Sequence, residues 1–146
     1  MRSAFVVFAL CGASPAWAVQ RPTTLGELCA RSALVVVGEV TGQESIFAAD
    51  GSGRIETWVD VAVLRTLRGD PGPAPLRLSL PGGTVGDLRL TVEDTPVLAT
   101  DARYLLLLAP RADGAGWRVY GGEAGARPVQ QADAVTLADL GGCHAP

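Results

Sequence analysis

Residues 55–63 read IETWVDVAV, in which β-branched side chains alternate with glutamate, tryptophan, aspartate and alanine. Strict alternation over this length is typical of a β-strand with one buried face. Upstream, residues 34–40 read LVVVGEV, a run that starts wholly apolar and then alternates. Between the two, DGSG at residues 50–53 has strong turn chemistry. We predict that these segments form two antiparallel strands.

Four further segments have strand patterns, at residues 76–80, 88–92, 104–108 and 117–120. Clusters of glycine and proline separate them, as expected of short strands joined by turns. The helical segments between them are too few for the crossovers of a parallel α/β sheet. The pattern therefore predicts a mainly β domain, a small antiparallel barrel or sandwich of five to six strands.

Two segments carry helical signals. Thr24 and Glu27 have the spacing of a capping box, which predicts a short helix as far as about Arg31. Gly26 weakens that helix, so an irregular leader is the alternative. Residues 132–140 are a candidate terminal helix. We therefore expect one or two short helices beside the strands.

The N-terminus has the pattern of a secretory signal peptide. A positive residue is followed by an apolar run at residues 4–10 and by the small-residue motif AWA at residues 16–18. We predict a signal peptide over residues 1–18, cleaved between Ala18 and Val19. An N-terminal membrane anchor is the alternative, but it needs about 18 or more continuous apolar residues, and a serine–proline pair interrupts the run. We expect export to the periplasm or the extracellular space, without stable membrane insertion after cleavage.

The remaining residues, 19–146, fit a single domain. All 12 basic side chains are arginine, and loss of Arg2 makes the mature chain one unit more negative than the formal charge of −3. The arginines are scattered among carboxylates, whereas nucleic-acid binding favours a clustered basic face. Nucleic acid is therefore not an expected partner. The high alanine, glycine, proline and arginine content is typical of a GC-rich bacterial genome.

Several kinds of catalytic site are disfavoured by composition. Without lysine, the chain has no Walker-type loop, Schiff base or Ser–Lys pair. The sequence GGTVG at residues 82–86 precedes a strand, so we read it as a turn or bulge. The single histidine, His144, lies at the chain end, and the usual zinc ligand sets are missing. Glu93, Asp94 and Glu123 are interpreted as solvated loop acids. We predict no catalytic residue, no cofactor and no metal site.

Cys29 and Cys143 are the only cysteines of the predicted mature chain, because Cys11 leaves with the signal peptide. In an oxidising compartment an even pair favours a disulfide over two free thiols. A reactive thiol or soft-metal site at Cys143 beside His144 is the alternative. The tripeptide RGD at residues 68–70 is interpreted as a turn, since proline and glycine follow it.

Four aromatic residues, Trp58, Tyr104, Trp117 and Tyr120, have two readings. In a domain of this size such residues usually belong to the core. Aromatic anchors also suit ligand or partner surfaces. The sequence leaves both readings open.

The passage LCARSALVVVGEVT at residues 28–41 resembles the opening of netrin-like domains, the fold of tissue inhibitors of metalloproteinases. Residues 61–69 and 104–108 follow in the same order as the corresponding strands of that family. The chain also looks like secreted bacterial proteins of similar design. The resemblance covers roughly residues 25–120 and implies that the single domain at residues 19–146 is an OB-like barrel with a general habit of binding proteins. The family's inhibitors chelate zinc through an N-terminal cysteine, whereas this mature chain is expected to start at Val19. No inhibitory residue carries over.

We therefore expect an exported, non-catalytic binding or accessory module whose partner is another exported protein. One alternative is a secreted protease inhibitor of netrin-like fold that uses residues 50–53 or 81–86. A second alternative is a thiol- or carboxylate-dependent hydrolase.

Overall fold

The structure is a computed structural model that describes residues 24–141 and 143. The predicted signal peptide, its cleavage between Ala18 and Val19, and His144 lie outside the described residues. Strands dominate, with one short α-helix and three 3-10 helices in the described part. In chain order the elements are α1 (Leu25–Arg31), β1 (Leu34–Phe47), β2 (Ile55–Arg68), β3 (Leu76–Pro81), β4 (Gly83–Val85), β5 (Leu88–Leu90), β6 (Arg103–Pro110), β7 (Trp117–Val119), a 3-10 helix (Gly122–Gly125), β8 (Ala126–Pro128) and two further 3-10 helices (Ala132–Ala134 and Ala138–Leu140).

Five strands form a closed barrel. They follow the order β1-β2-β3-β7-β6, and β6 returns to pair with β1. All neighbours are antiparallel except β3 and β7, which run parallel over a short contact. β8 adds to β6 as an extra strand. The prediction of a mainly β, small barrel of five to six strands with one or two short helices is confirmed.

β1 is long enough to pair with two neighbouring strands, β2 and β6. Its first part, from Leu34 to Glu39, pairs with β6, and nearly its whole length pairs with β2. Three register irregularities interrupt the β1–β2 ladder. Such bulges bend a strand and increase its twist, which a small barrel requires. Gly38 lies at this bend, where a Cβ atom would overlap the Val61 side chain.

The apolar run at the start of β1 is buried on both faces. Alternate residues such as Leu34 and Val36 point into the barrel core, and Val35 and Val37 point outward. The outward set is covered by α1 and the C-terminal segment, which includes Leu140. Full burial of each such side chain stabilises the fold by about 1.5–3 kcal/mol. Because packed side chains cover both faces of β1, its first residues are all apolar and do not alternate with polar ones.

α1 begins as the sequence predicts. Thr24 accepts a hydrogen bond from the Glu27 amide, and the Glu27 carboxylate accepts one from the Thr24 amide. Gly26 is buried against the backbone of Gly141, where a Cβ would overlap the carbonyl oxygen. The glycine that weakens the helix by propensity is thus the residue that allows its close packing.

The segment predicted as a fourth strand, residues 88–92, does not join the barrel. Its ordered part is β5, which pairs only with β4 in a separate two-stranded sheet. β4 lies within residues 82–86, which the sequence analysis read as a turn. Short strands next to glycines give a weak sequence signal, so this hairpin was missed.

Residues 132–140 form two separate 3-10 helices in place of one terminal helix. Between them the amide and hydroxyl of Thr136 donate hydrogen bonds to the Asp139 carboxylate, at 2.8 and 2.6 Å. Local side-chain bonds of this kind compete with continuous helix. Within residues 24–141 no helix is long and apolar enough to cross a membrane.

Candidate functional site

The outer face of β1, β2 and β3 carries Trp58 at its middle. The strand register pairs Trp58 with Glu44 of β1 and with Ser79 of β3. Directly paired residues project to the same face of a sheet. Val59, the next residue of β2, is fully buried in the barrel. The Trp58 side chain therefore stands on the outside of the barrel, flanked by a strand on each side.

Two guanidinium groups pack against the Trp58 ring. The Cζ atoms of Arg77 and Arg111 lie 5.1 and 4.9 Å from the ring centroid. Arg77 belongs to β3, and its Nε lies 3.5 Å from Asp60 Oδ1. Arg111 follows directly after β6. Contacts of this kind stabilise exposed sites by roughly 0.5–1 kcal/mol each. Trp58 is thus held by charged groups at the surface.

Arg111 is the central connection of this cluster. Its Nη2 donates to Asp113 Oδ2 at 2.7 Å, and its Nε donates to Asp113 Oδ1 at 3.0 Å. Its Nη1 donates to Glu56 Oε2 at 3.4 Å and to the hydroxyl of Ser79. Only 19% of the Arg111 side chain is exposed. One guanidinium therefore joins β2, β3 and the β6–β7 segment.

These hydrogen bonds shift the acidities of both partners. The Arg111 guanidinium, followed by the Ala115 amide, lowers the pKa of Asp113 from 3.8 to about 2. The hydrogen bond to Asp113 raises the pKa of Arg111 above its ordinary value. Both groups therefore stay charged near neutral pH, so the Arg111–Asp113 pair is unsuited to proton transfer there.

A groove of about 560 Å³ lies beside the cluster. Its volume falls in the range of about 300–1,000 Å³ typical of ligand sites. Two crevices of about 240 Å³ each adjoin it and share Pro81 with it. The groove is lined by β2, β3, β5 and the segment from β6 to β7, at residues 54–56, 79, 81, 90, 92, 111–113 and 118.

The β4–β5 hairpin is docked so that β5 borders this groove. Thr57 Oγ1 donates to the Gly82 carbonyl at 2.8 Å, and the Gly82 amide donates to the Ile55 carbonyl at 2.8 Å. At Gly83, where φ is +134°, a Cβ would overlap the hydroxyl oxygens of Ser45 and Thr57. Only glycine permits this close crossing and this backbone conformation.

The segment after β5 is fastened at Asp94. This residue has a left-handed φ of +57°, and its Oδ1 accepts a hydrogen bond from the Glu123 amide at 3.1 Å. A side chain on Gly122 would overlap the Asp94 carboxylate. Glu93 is exposed. Across the part of the chain that is described, no group of three or more His, Cys, Asp and Glu residues is arranged to hold a metal ion.

Cys29 and Cys143 form a disulfide, consistent with the sequence prediction. Their Cα atoms are 5.2 Å apart, and 114 residues separate them in sequence. Both cysteines are buried in the layer between α1 and the barrel. The bond therefore belongs to the covering layer on the outer side of β1 and β6, and neither cysteine lines the groove.

The other segments singled out in the sequence, at residues 68–70 and 50–53, lie at turns that side-chain hydrogen bonds stabilise. Arg68 donates to the carbonyls of Cys29 and Ala30, both at 3.0 Å. Asp70 accepts from the Gly72 amide at 2.9 Å, so the turn that the sequence predicts lies at residues 70–72, just after β2 ends at Arg68. At residues 50–53, Asp50 accepts from the Ser52 amide at 2.9 Å. A hydrogen bond from the Ser52 hydroxyl, followed by the one from the Ser52 amide, lowers the Asp50 pKa.

The four aromatic residues separate into two groups. Tyr104 is buried in the barrel core, and its hydroxyl accepts from the Ala99 amide at 2.9 Å. Trp117 and Tyr120 pack against the two core layers. Trp58 belongs to neither core. The alternation of residues 55–63 already places it on the face opposite Val59, but its arginine partners are distant in sequence and were missed.

The sequence matches no known family model, and no similar sequence was found among curated proteins. The surface around Trp58 combines an outward aromatic ring, fixed guanidinium groups and an adjoining groove. Such a surface is equipped to bind and orient another molecule.

Proposed function

We propose that this protein is an exported, non-catalytic binding or accessory module whose partner is another exported protein. Its binding surface is the outer face around Trp58 together with the adjoining groove. We infer that the mature chain begins at Val19 and acts in the periplasm or outside the cell. The disulfide supports this location, because such bonds persist in oxidising compartments.

The observation that carries the proposal is the fixed position of Trp58 beside the groove. Binding energy at protein interfaces is concentrated in a few anchors, and tryptophan, tyrosine and arginine are enriched among them. Trp58, Arg77 and Arg111 are held against one another before any partner arrives. A surface that is already ordered loses less conformational entropy when it binds.

The strand order supports an OB-type fold for the module. In that fold a five-stranded Greek-key barrel binds ligands on the face of its second and third strands and through neighbouring loops. β2 and β3 hold the corresponding places here, and the loop after β6 supplies Arg111. The netrin-like relationship is proposed on the resemblance of residues 28–41, 61–69 and 104–108 together with this order.

A hydrolase mechanism has less support. In the disulfide Cys29 is not a thiolate, which is the form that acts as a nucleophile. The carboxylates nearest the groove, Glu56 and Asp113, are both bonded to Arg111. These contacts favour binding over the thiol- or carboxylate-dependent alternative.

Affinity capture tests the proposal. The mature domain is immobilised and exposed to the native exported fraction, beside the groove variant Leu90→Ser/Arg118→Ala and the matched control Leu64→Ser/Arg127→Ala. All four side chains are in exposed positions, and Leu64 and Arg127 lie outside the groove. We expect one protein to be retained by the wild type and the control and lost from the groove variant. Equal recovery on all three surfaces, or none, would contradict the proposal.

A secreted protease inhibitor is the second candidate. The turn at residues 50–54 is exposed and braced by Asp50, Ser52 and Arg54, and inhibitory loops benefit from such pre-organisation. Residues 81–86 are the other candidate loop. Inhibition of a co-secreted protease, abolished by Ser52→Pro but retained in Leu90→Ser/Arg118→Ala, would favour this candidate over the first.

A further inference from the structure

We propose that the groove binds an extended peptide segment of the partner that carries both acidic and apolar residues. This inference rests on the proposed function and specifies the chemistry of its partner. Three properties of the groove carry it: the arginines at its rim, its apolar lining and the unpaired backbone groups of its walls.

The charge available to a ligand in the groove is positive. Both acids of the lining, Glu56 and Asp113, already accept hydrogen bonds from Arg111. Arg118 also lines the groove, and among the described residues no carboxylate lies within 4.0 Å of it. Arg54 pairs with Asp50, but 67% of the Arg54 side chain is exposed. Exposed ion pairs are weak and exchange easily. The carboxylates of a ligand can therefore bind both Arg54 and Arg118.

Apolar side chains lie among these charges. Ile55 and Pro81 come from β2 and β3, and Leu90 and Val92 come from β5 and the segment that follows it. Leu90 and Val92 are each 37% exposed, so part of their surface remains to be covered. An apolar side chain of a ligand gains about 25 cal/mol for each Å² that it buries there. The lining therefore favours a ligand that carries both apolar and acidic groups.

Backbone groups at the groove favour a peptide over a simple amphiphilic anion. Val92 and Ala112 line the groove outside regular strands. Within residues 24–141 and 143, the Val92 amide and the amide and carbonyl of Ala112 form no intramolecular hydrogen bond. An extended peptide presents donors and acceptors that pair with such groups. A fatty-acid chain does not.

The test uses a fluorescein-labelled short peptide that alternates valine and glutamate. Its affinity for the mature domain is compared with that of the same peptide with lysine in place of glutamate, and with an N-methylated form. We expect saturable binding of the first peptide only. Arg118→Ala is expected to weaken it about tenfold, because a hydrogen bond between charged groups is lost. Arg127→Ala, the matched exposed arginine, is expected to leave the affinity unchanged.

Three results would overturn the inference: equal binding of the lysine peptide, undiminished binding of the N-methylated peptide, or displacement of the probe by dodecanoate at the same concentration as by unlabelled peptide. Circular dichroism of each variant verifies that it is folded. The unlabelled valine–glutamate peptide is also added as a competitor in the capture experiment. Groove-dependent capture that the peptide does not inhibit overturns the inference and leaves the proposed function standing. Absence of groove-dependent capture overturns both.

Discussion

Gly83 occupies the point where β4 crosses β1 and β2. Its φ of +134° is outside the range that residues with a side chain normally adopt, and the hydroxyls of Ser45 and Thr57 fill the space where a Cβ would lie. This residue sets the position of the whole β4–β5 hairpin. Through the hairpin it sets the position of Leu90 at the groove.

We predict that Gly83→Ala lowers the free energy of unfolding by about 1–3 kcal/mol, because it adds backbone strain and steric overlap. Chemical denaturation measures the change. The control is Gly42→Ala, since Gly42 has ample space and no positive φ. The account is wrong at this position if the two variants are equally stable.

The ionisation of Asp113 shows whether its contact with Arg111 persists in solution. Its pKa is lowered to about 2, so the folded protein binds this proton less tightly than the unfolded chain. The resulting contribution to stability is present above the unfolded value of 3.8 and is lost as the pH falls through about 2. We predict a carboxyl carbon titration by NMR with a midpoint near 2.

Arg111→Gln is expected to return the Asp113 midpoint towards 3.8, because the largest cause of the shift is removed. Arg118→Gln serves as the matched control and is expected to leave the midpoint near 2. A midpoint near 3.8 in the wild type would show that the Arg111–Asp113 contact does not persist in solution.

At the scale of elements, local patterns were sufficient for α1 and for the longest strands. The capping box at Thr24 and Glu27 and the alternation of residues 55–63 are read directly from the sequence. The β4–β5 hairpin and the 3-10 helices depend on long-range contacts, such as Thr57 with Gly82 and Arg65 with the Val135 carbonyl. No local pattern encodes those contacts.

The disulfide connects α1 to the C-terminal segment. Closing a loop of 114 residues restricts the unfolded chain, and loss of such a bond typically costs about 2–5 kcal/mol. We predict a decrease of this size in the unfolding free energy of Cys29→Ser/Cys143→Ser, measured by denaturation. Dithiothreitol should destabilise the wild type and leave the double variant unchanged. A wild type insensitive to the reductant would contradict the prediction.

At the scale of the whole molecule, the sequence predicted a small barrel of five to six strands but not the pairings that close it: residues 88–92 stay outside the barrel, and β8, which was not predicted, joins β6. Closure depends on β1 pairing with both β2 and β6, which bulges and Gly38 allow. The candidate site was likewise only partly predictable from the sequence. The sequence placed Trp58 on an outer face, but only the folded barrel brings Arg77 and Arg111 to it.

Export is also a property of the whole chain. We predict that the full sequence, expressed in a bacterium with its own signal, yields a product that begins at Val19. Mass spectrometry of the periplasmic and medium fractions measures this directly. A cytoplasmic product that retains residues 1–18 would contradict the proposed address.

The central claim is that the groove beside Trp58 is the surface that binds an exported partner. Site-specific photocrosslinking in the native exported fraction tests it most directly, with benzoylphenylalanine in place of the exposed groove residue Ala112 or, as the control, in place of the exposed residue Ala124 outside the groove. Our account predicts a discrete crosslinked complex from position 112 and none from position 124. Equal crosslinking at both positions, or none at position 112, would contradict it.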